Sequence, residues 1–222
     1  MSILDETIYK LRNARVNEYP YPHFCVQDVF EFKVYGQILD WLDACQTFRP
    51  LDGGYAHRTF TDDMPDVLKP LNDPRMGREM IAKFQKEYFD RYPNPGRPNM
   101  GHEWRFIRDE EQYSIGPHTD SPRKVLSLLF YMPTNWENYD MGTGIYVPDD
   151  GKKTCVGGPH YPFDGFTEVF RAPYAPNSCF GFWKTSNSWH GVQPLPRKVR
   201  RDVLLYNIYE EKKEKSPIFV AK

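Results

Sequence analysis

The stretch YSIGPHTDSPRKVLSLLFYMP, residues 113–133, decides the fold. It passes from a short extended segment, through a histidine two residues before an aspartate, into an apolar run of strand composition. Side chains at i and i+2 of a strand point to the same face. His118 and Asp120 therefore aim an imidazole and a carboxylate to one side, while Thr119 turns to the other. Pro117 and Pro122 flank the pair and end the strand there, which puts both groups at the mouth of a β-structure. The chain has six histidines, and an isolated His-x-Asp arises readily by chance, so the motif takes its meaning from its surroundings.

Those surroundings have a period of two. From about residue 102 the runs HEWRFIR, QYSIG, VLSLLFYM, GTGIYV, FTEVFRA, SCFGFW, WHGVQPL and RDVLLYNIY are short, rich in β-branched and aromatic residues, and bounded by Gly, Pro, Asn and Asp. They predict an all-β sandwich or barrel. The N-terminal third instead carries helical spacing. DETIYKLRNARV repeats apolar residues at Ile8, Leu11 and Val16, and EFKVYGQILDWLDAC places Phe32, Tyr35, Leu39 and Leu42 on one face. DPRMGREMIAKFQKEYFDRY does the same with Met76, Met80, Ile81, Phe84 and Tyr88, opening on an Asp-Pro start signal. PYPHFCVQDVF reads as a strand entered through prolines. The expectation is one domain over residues 1–222, with a helical support region at 1–100 and a jelly-roll core at 101–210. The segments NWENYDMG and DDGKKTCVGGPHYPFDG should hang from one end of that core, where such folds keep their function.

Composition excludes several classes. Lys plus Arg number 29 against 30 Asp plus Glu, so no basic excess exists for a nucleic acid. No apolar window is long enough to span a membrane, and the first residues lack the pattern of a signal peptide, which points to the cytoplasm. The four cysteines form no Cys-x-x-Cys and read as buried free thiols. Oligomeric state is not legible.

Two ligands hold a divalent ion loosely, and the natural third is His190 in NSWHGVQPLP, the histidine of a comparable downstream strand. Two imidazoles and one carboxylate on one face of an octahedron suit non-haem Fe(II), with three positions open, although the ligand types alone also fit zinc. A keto acid chelating such an iron would need a buried cation for its distal carboxylate, and a guanidinium can grip one with two bonds. RKVRRDVLLYNIY supplies Arg200 and Arg201 at the head of an apolar strand.

On these residues the chain resembles the Fe(II)/2-oxoglutarate-dependent dioxygenase superfamily, in its prolyl-hydroxylase-like branch. HTD, LSLLFYMPTNW, GTGIYVP, WHGVQP and RRDVLLYNI carry the resemblance, together with the N-terminal YPYPHFCVQDVFEFKVYGQILDWL; residues 49–100 add little to it. The resemblance implies a double-stranded β-helix, mainly β and cupin-like, with supporting N-terminal α-helices. It makes His118, Asp120 and His190 the catalytic iron ligands and Arg201 the residue holding 2-oxoglutarate, because Arg201-Asp202-Val203-Leu204 fits the family pattern better than the frame from Arg200. Tyr131 stands where relatives place a tyrosine on the same carboxylate, and Ser127 and Leu129 alternate with it. The implied activity consumes O2 and 2-oxoglutarate, releases succinate and CO2, and hydroxylates an unactivated C–H. A small-molecule substrate is favoured, with a peptide or a sugar unit as the other options. The competing readings are a cupin-like metal enzyme that does without 2-oxoglutarate and a metal- or ligand-binding module.

Other polar residues read more plainly. His23, His57, His102 and His160 lack a second ligand in frame and are expected to be structural or surface, with His160 closest to the mouth. Trp183 and Trp189 are expected in the barrel core. Arg105, Arg108, Arg123 and Lys124 should flank the mouth as solvated surface; clustered, they would suit an acidic or hydroxyl-rich substrate.

Overall fold

The period-two runs of the C-terminal half form two antiparallel sheets in the computed structural model, which describes residues 1–50, 55–93, 97–196 and 198–211. In chain order the strands are β1 (His23–Val26), β2 (Arg49–Pro50), β3 (Arg58–Thr61), β4 (Met100–Asp109), β5 (Ile115–His118), β6 (Lys124–Tyr131), β7 (Gly144–Pro148), β8 (Phe166–Arg171), β9 (Ser178–Trp183), β10 (His190–Val192) and β11 (Arg201–Glu210). The large sheet has the order β1-β9-β6-β11-β4-β3-β2, and the small one β5-β10-β7-β8. All eight runs read from the sequence contain strands. The edge strand β2 and its neighbour β3, in the stretch that carried little signal, are added to them.

Alternation gives the large sheet two apolar faces. Leu126, Leu128, Phe130, Leu204, Tyr206 and Ile208 join one buried cluster with the helices. Tyr131, Phe180, Phe182 and Val203 join another with Ile145 and Val192 of the small sheet. Each fully buried Leu or Phe in such a layer contributes roughly 1.5–3 kcal/mol. The large sheet is thus sandwiched between helices and the second sheet, and the faces of the two sheets that meet also bound the pocket described below.

The helices are α1 (Ile3–Asn13), α2 (Phe32–Ala44), α3 (Pro74–Lys83) and α4 (Gln85–Arg91), with 3-10 turns at Asp66–Asn72 and Tyr139–Met141. The Ser2 side chain caps α1 by accepting the Asp5 N–H, and Asp73 caps α3 by accepting the Arg75 N–H, with Pro74 in the first turn. Two helical expectations need correction. The buried face of α2 is Tyr35, Ile38 and Leu42, while Phe32 at its first position is 92 % exposed. The third predicted helix breaks at Phe84, whose backbone (φ −105°, ψ 39°) leaves the helical region, although Met76, Met80, Ile81, Phe84 and Tyr88 are all buried as expected. Trp183 is buried on the helix side of the large sheet, beside Phe84, rather than between the sheets. No described helix is long and apolar enough to cross a membrane. All four cysteines are free, but only Cys179 is fully buried.

Candidate metal centre

Two strand ends and the residue two beyond one of them create the site. β5 ends at His118 and β10 begins at His190, and the two residues are direct partners in the β5–β10 pairing. Their rings lie 4.3 Å apart, centroid to centroid. Asp120 follows two residues after His118, and one ligand atom from each of the three residues lies within 4.8 Å of the others. Exposure is low throughout: 9 % for His118, 8 % for Asp120 and 7 % for His190. Thr119 faces away, as the alternation requires, and its hydroxyl donates to the Cys155 carbonyl.

The hydrogen bonds prepare these groups for a metal. His118 Nδ1 is 2.9 Å from the Gly116 carbonyl, and His190 Nδ1 is 2.9 Å from the Ser188 carbonyl. A carbonyl only accepts, so each Nδ1 carries the proton and each Nε2 keeps a free lone pair. Burial, and at His118 the neighbouring His190, pushes both imidazoles below their ordinary pKa, so they stay neutral. Asp120 would be raised by its own burial, yet the Lys124 ammonium beside it holds it below the usual carboxylate range. Lys124 Nζ donates to Oδ1 at 2.9 Å and Ser127 Oγ donates to Oδ2 at 2.8 Å. Two neutral imidazoles and one charged carboxylate are the protonation states that a divalent ion requires. The donor set therefore fits one.

These residues open into a pocket bounded at its other side by Arg201, which is only 1 % exposed. Its Nε donates to the Met141 carbonyl, Nη1 to Asp109 at 2.8 Å and Nη2 to Thr143 Oγ1 at 3.2 Å, which spends three of its five N–H bonds. Thr143 lines the same pocket. Its hydroxyl oxygen also accepts from Tyr131, so its single proton is unspent in these contacts and available to an acceptor. Tyr131, buried, in turn accepts the Thr143 N–H and stands beside Arg201, with the guanidinium 5.4 Å from its ring. Arg200, by contrast, is partly exposed and pairs with Asp43 and Asp202.

Asp109 has a second cation. Arg58 donates to it from Nε at 2.6 Å and from Nη2 at 2.9 Å. Arg58, Asp109 and Arg201 are register partners across β3, β4 and β11, so their side chains form one row on the pocket face. Under Arg58, at 4.0 Å, lies the ring of Tyr113, whose buried hydroxyl has no hydrogen-bond partner among the described residues. A buried donor left unpaired costs about 1–3 kcal/mol, which a bound acceptor would recover.

The sequence reading placed His118, Asp120, His190 and Arg201 around one pocket, with Ser127 and Leu129 in its lining. It missed Arg58, Asp109, Thr143 and Asn207. Lys124, read as solvated surface, is instead paired with Asp120, while Arg105 pairs with Asp62. Arg108 lies away from the mouth, held by Asp202 and the Leu42 carbonyl. His160 remains exposed, yet its ring is 4.6 Å from that of His118.

No protein-family model and no curated protein sequence matches the chain. Solved structures do. A prolyl-4-hydroxylase from Pseudomonas putida superposes with a TM-score of 0.55 at 12 % identity, covering 94 % of this chain and all of that one. SnoN, a non-haem alpha-ketoglutarate-dependent epimerase from nogalamycin biosynthesis, gives 0.53 at 11 % identity, covering 94 % of this chain and 82 % of its own. A 2OG-Fe(II) oxygenase family oxidoreductase from Burkholderia pseudomallei gives 0.50 at 16 % identity, over 93 % and 89 %. At these identities the likeness is one of fold: the chain has the fold of 2-oxoglutarate- and Fe(II)-dependent oxygenases.

Proposed function

We propose that the protein is an Fe(II)- and 2-oxoglutarate-dependent dioxygenase of the prolyl-hydroxylase-like branch, working in a single domain built on a double-stranded β-helix. The observation carrying this reading is the pairing of two neutral imidazoles and a charged carboxylate with a buried arginine in one pocket. His118, Asp120 and His190 would hold the iron, through both Nε2 atoms and one carboxylate oxygen. Arg201 and the free proton of Thr143 would hold the distal carboxylate of the keto acid by charge-assisted hydrogen bonds. Tyr131 would act on the same carboxylate, fixing the Thr143 hydroxyl so that its proton points at the ligand.

Bound in this way, iron and 2-oxoglutarate supply the oxidising chemistry that inserts an atom of O2 into a substrate C–H and releases succinate and CO2. The chain's own contribution is orientation and shielding. Ser127 and Lys124 fix both oxygens of Asp120, and the two backbone carbonyls fix both rings. Leu129, Val203 and Leu205 give the pocket an apolar wall between the two polar ends.

Hydroxylation is the outcome proposed, although the fold also serves the epimerase SnoN. The test is succinate formation from 2-oxoglutarate, dependent on added Fe(II) and O2. Arg201→Ala should raise the 2-oxoglutarate requirement sharply. Succinate formation that never responds to Fe(II) or to this substitution sinks the proposal and favours a cupin-like enzyme or a binding module.

A further inference from the structure

An arginine, a tyrosine and a histidine form an arc beside the pocket, outside the metal and keto-acid positions. Arg58 lines the pocket from β3. Its guanidinium lies 5.9 Å from the ring of Tyr55, and the ring of Tyr55 lies 5.6 Å from that of His160. His160 closes the arc on the metal ligand His118, with rings 4.6 Å apart. The Tyr55 hydroxyl and His160 Nε2 are 3.4 Å apart, a long and weak hydrogen bond that a charged acceptor would outcompete.

The loop bearing His160 is pinned beside the site. The Tyr161 N–H donates to the Pro117 carbonyl, the Cys155 N–H to the Ser186 carbonyl, and Thr119 Oγ1 to the Cys155 carbonyl. Two glycines permit this approach. A Cβ on Gly116 would fall 1.9 Å from the Tyr161 carbonyl oxygen, and one on Gly157 would fall 2.2 Å from that of Asp120; Gly157 also has φ +126°. His160 is therefore held against the site while its side chain stays exposed.

Charge decides what this arc receives. Arg58, Lys124 and Arg201 line the pocket as cations, against the carboxylates of Asp120, which also lines it, and of Asp109, which the two arginines share. The surplus is one positive charge. Glu103, which accepts from Asn207, is not part of that lining. On the proposed function, a divalent iron and a doubly charged keto acid cancel, so the surplus persists when both are bound. Arg58 spends two of its five N–H bonds on Asp109 and keeps donors for a further acceptor.

We infer that Arg58, Tyr55 and His160 are specificity-determining residues that bind a carboxylate on the primary substrate and hold that substrate over the metal. The inference rests on the dioxygenase reading and narrows its substrate to an organic acid.

Protein loaded anaerobically with Fe(II) and 2-oxoglutarate, so that the metal and Arg201 are both engaged, is titrated calorimetrically with benzoate and with benzamide. Benzoate should bind at least about ten-fold tighter, the worth of one charge-assisted hydrogen bond. Tyr55→Phe, which keeps the ring that packs on the second core cluster, and His160→Ala, at an exposed position, should each cut that preference to less than about three-fold. Equal affinities, no binding of either probe, or a preference that both variants retain overturns the inference. The visible charge-transfer band of the same loaded samples separates the two levels. With the band present, any of those results rejects the carboxylate arc alone; a band absent from iron-loaded protein rejects the dioxygenase reading and the arc with it.

Discussion

Arg58 and Arg201 grip the same carboxylate. Asp109 takes two bonds from the first and one from the second, and it is fully buried between them. Each cation thereby gains an anionic partner that the neighbouring apolar residues do not supply. Removing Asp109 would leave two guanidiniums facing each other in a low-dielectric row.

Asp109→Asn should therefore destabilise the fold by about 3–5 kcal/mol, the cost of breaking a buried pair by deleting one partner. Urea unfolding of the metal-free protein measures it. A loss below about 1 kcal/mol, the value of an exposed pair, would show that the row is solvated.

Thr143→Val removes a hydroxyl proton while keeping shape. The KM for 2-oxoglutarate should rise about ten-fold, for the loss of one hydrogen bond to a charged group. Tyr131→Phe should act in the same direction but less, because Tyr131 reaches the ligand through Thr143. Steady-state succinate formation reads both. A larger effect from Tyr131→Phe than from Thr143→Val would reverse the assignment.

Ser127→Ala takes away the donor to Asp120 Oδ2. Outer partners of this kind are worth about 10- to 100-fold in metal affinity. Titration with Co(II), followed by its visible bands, should show a loss in that range with the fold intact.

Much of this arrangement is legible in the sequence, and the reason is local. The sequence put His118 and Asp120 on one face of a single strand; the strand in fact ends at His118, and Asp120 joins it from two residues beyond, between Pro117 and Pro122. Arg201 heads a run whose apolar residues are themselves strand-like. Arg58 and Thr143 are not legible in this way. Their role comes from register: Arg58 meets Asp109 across 51 residues of chain, and Arg201 meets it across 92. β3 is four residues long at the margin of its sheet and carries one fully apolar side chain, so nothing local marks it. Phe32 was misplaced for a similar reason, since helical spacing fixes a periodicity but not which residues of the first turn reach the core.

The stability of the metal-free protein should fall with acid. Burial, joined at His118 by the neighbouring His190 and opposed at both by Asp120, holds His118 and His190 below their ordinary value of 6.5. The unfolded chain then binds protons that the folded chain refuses, so this contribution is full above 6.5 and is lost as pH falls below it. Asp120, held below its ordinary 3.8 by Lys124 against the effect of burial, acts in the same direction further down. Unfolding curves at about pH 7.5 and about pH 5.5 should differ accordingly, with the lower pH less stable. Added Co(II) should leave that difference unchanged or widen it, because the metal-bound native protein takes up no proton at either imidazole while the unfolded chain still does.

The most direct test of the central claim needs no substrate. Fe(II) and then 2-oxoglutarate are added to the protein without oxygen, and the visible spectrum is followed for the metal-to-ligand charge-transfer band of a chelated keto acid. The account predicts a band in the native protein that His118→Ala abolishes. Native protein shown to hold iron but giving no band would contradict it.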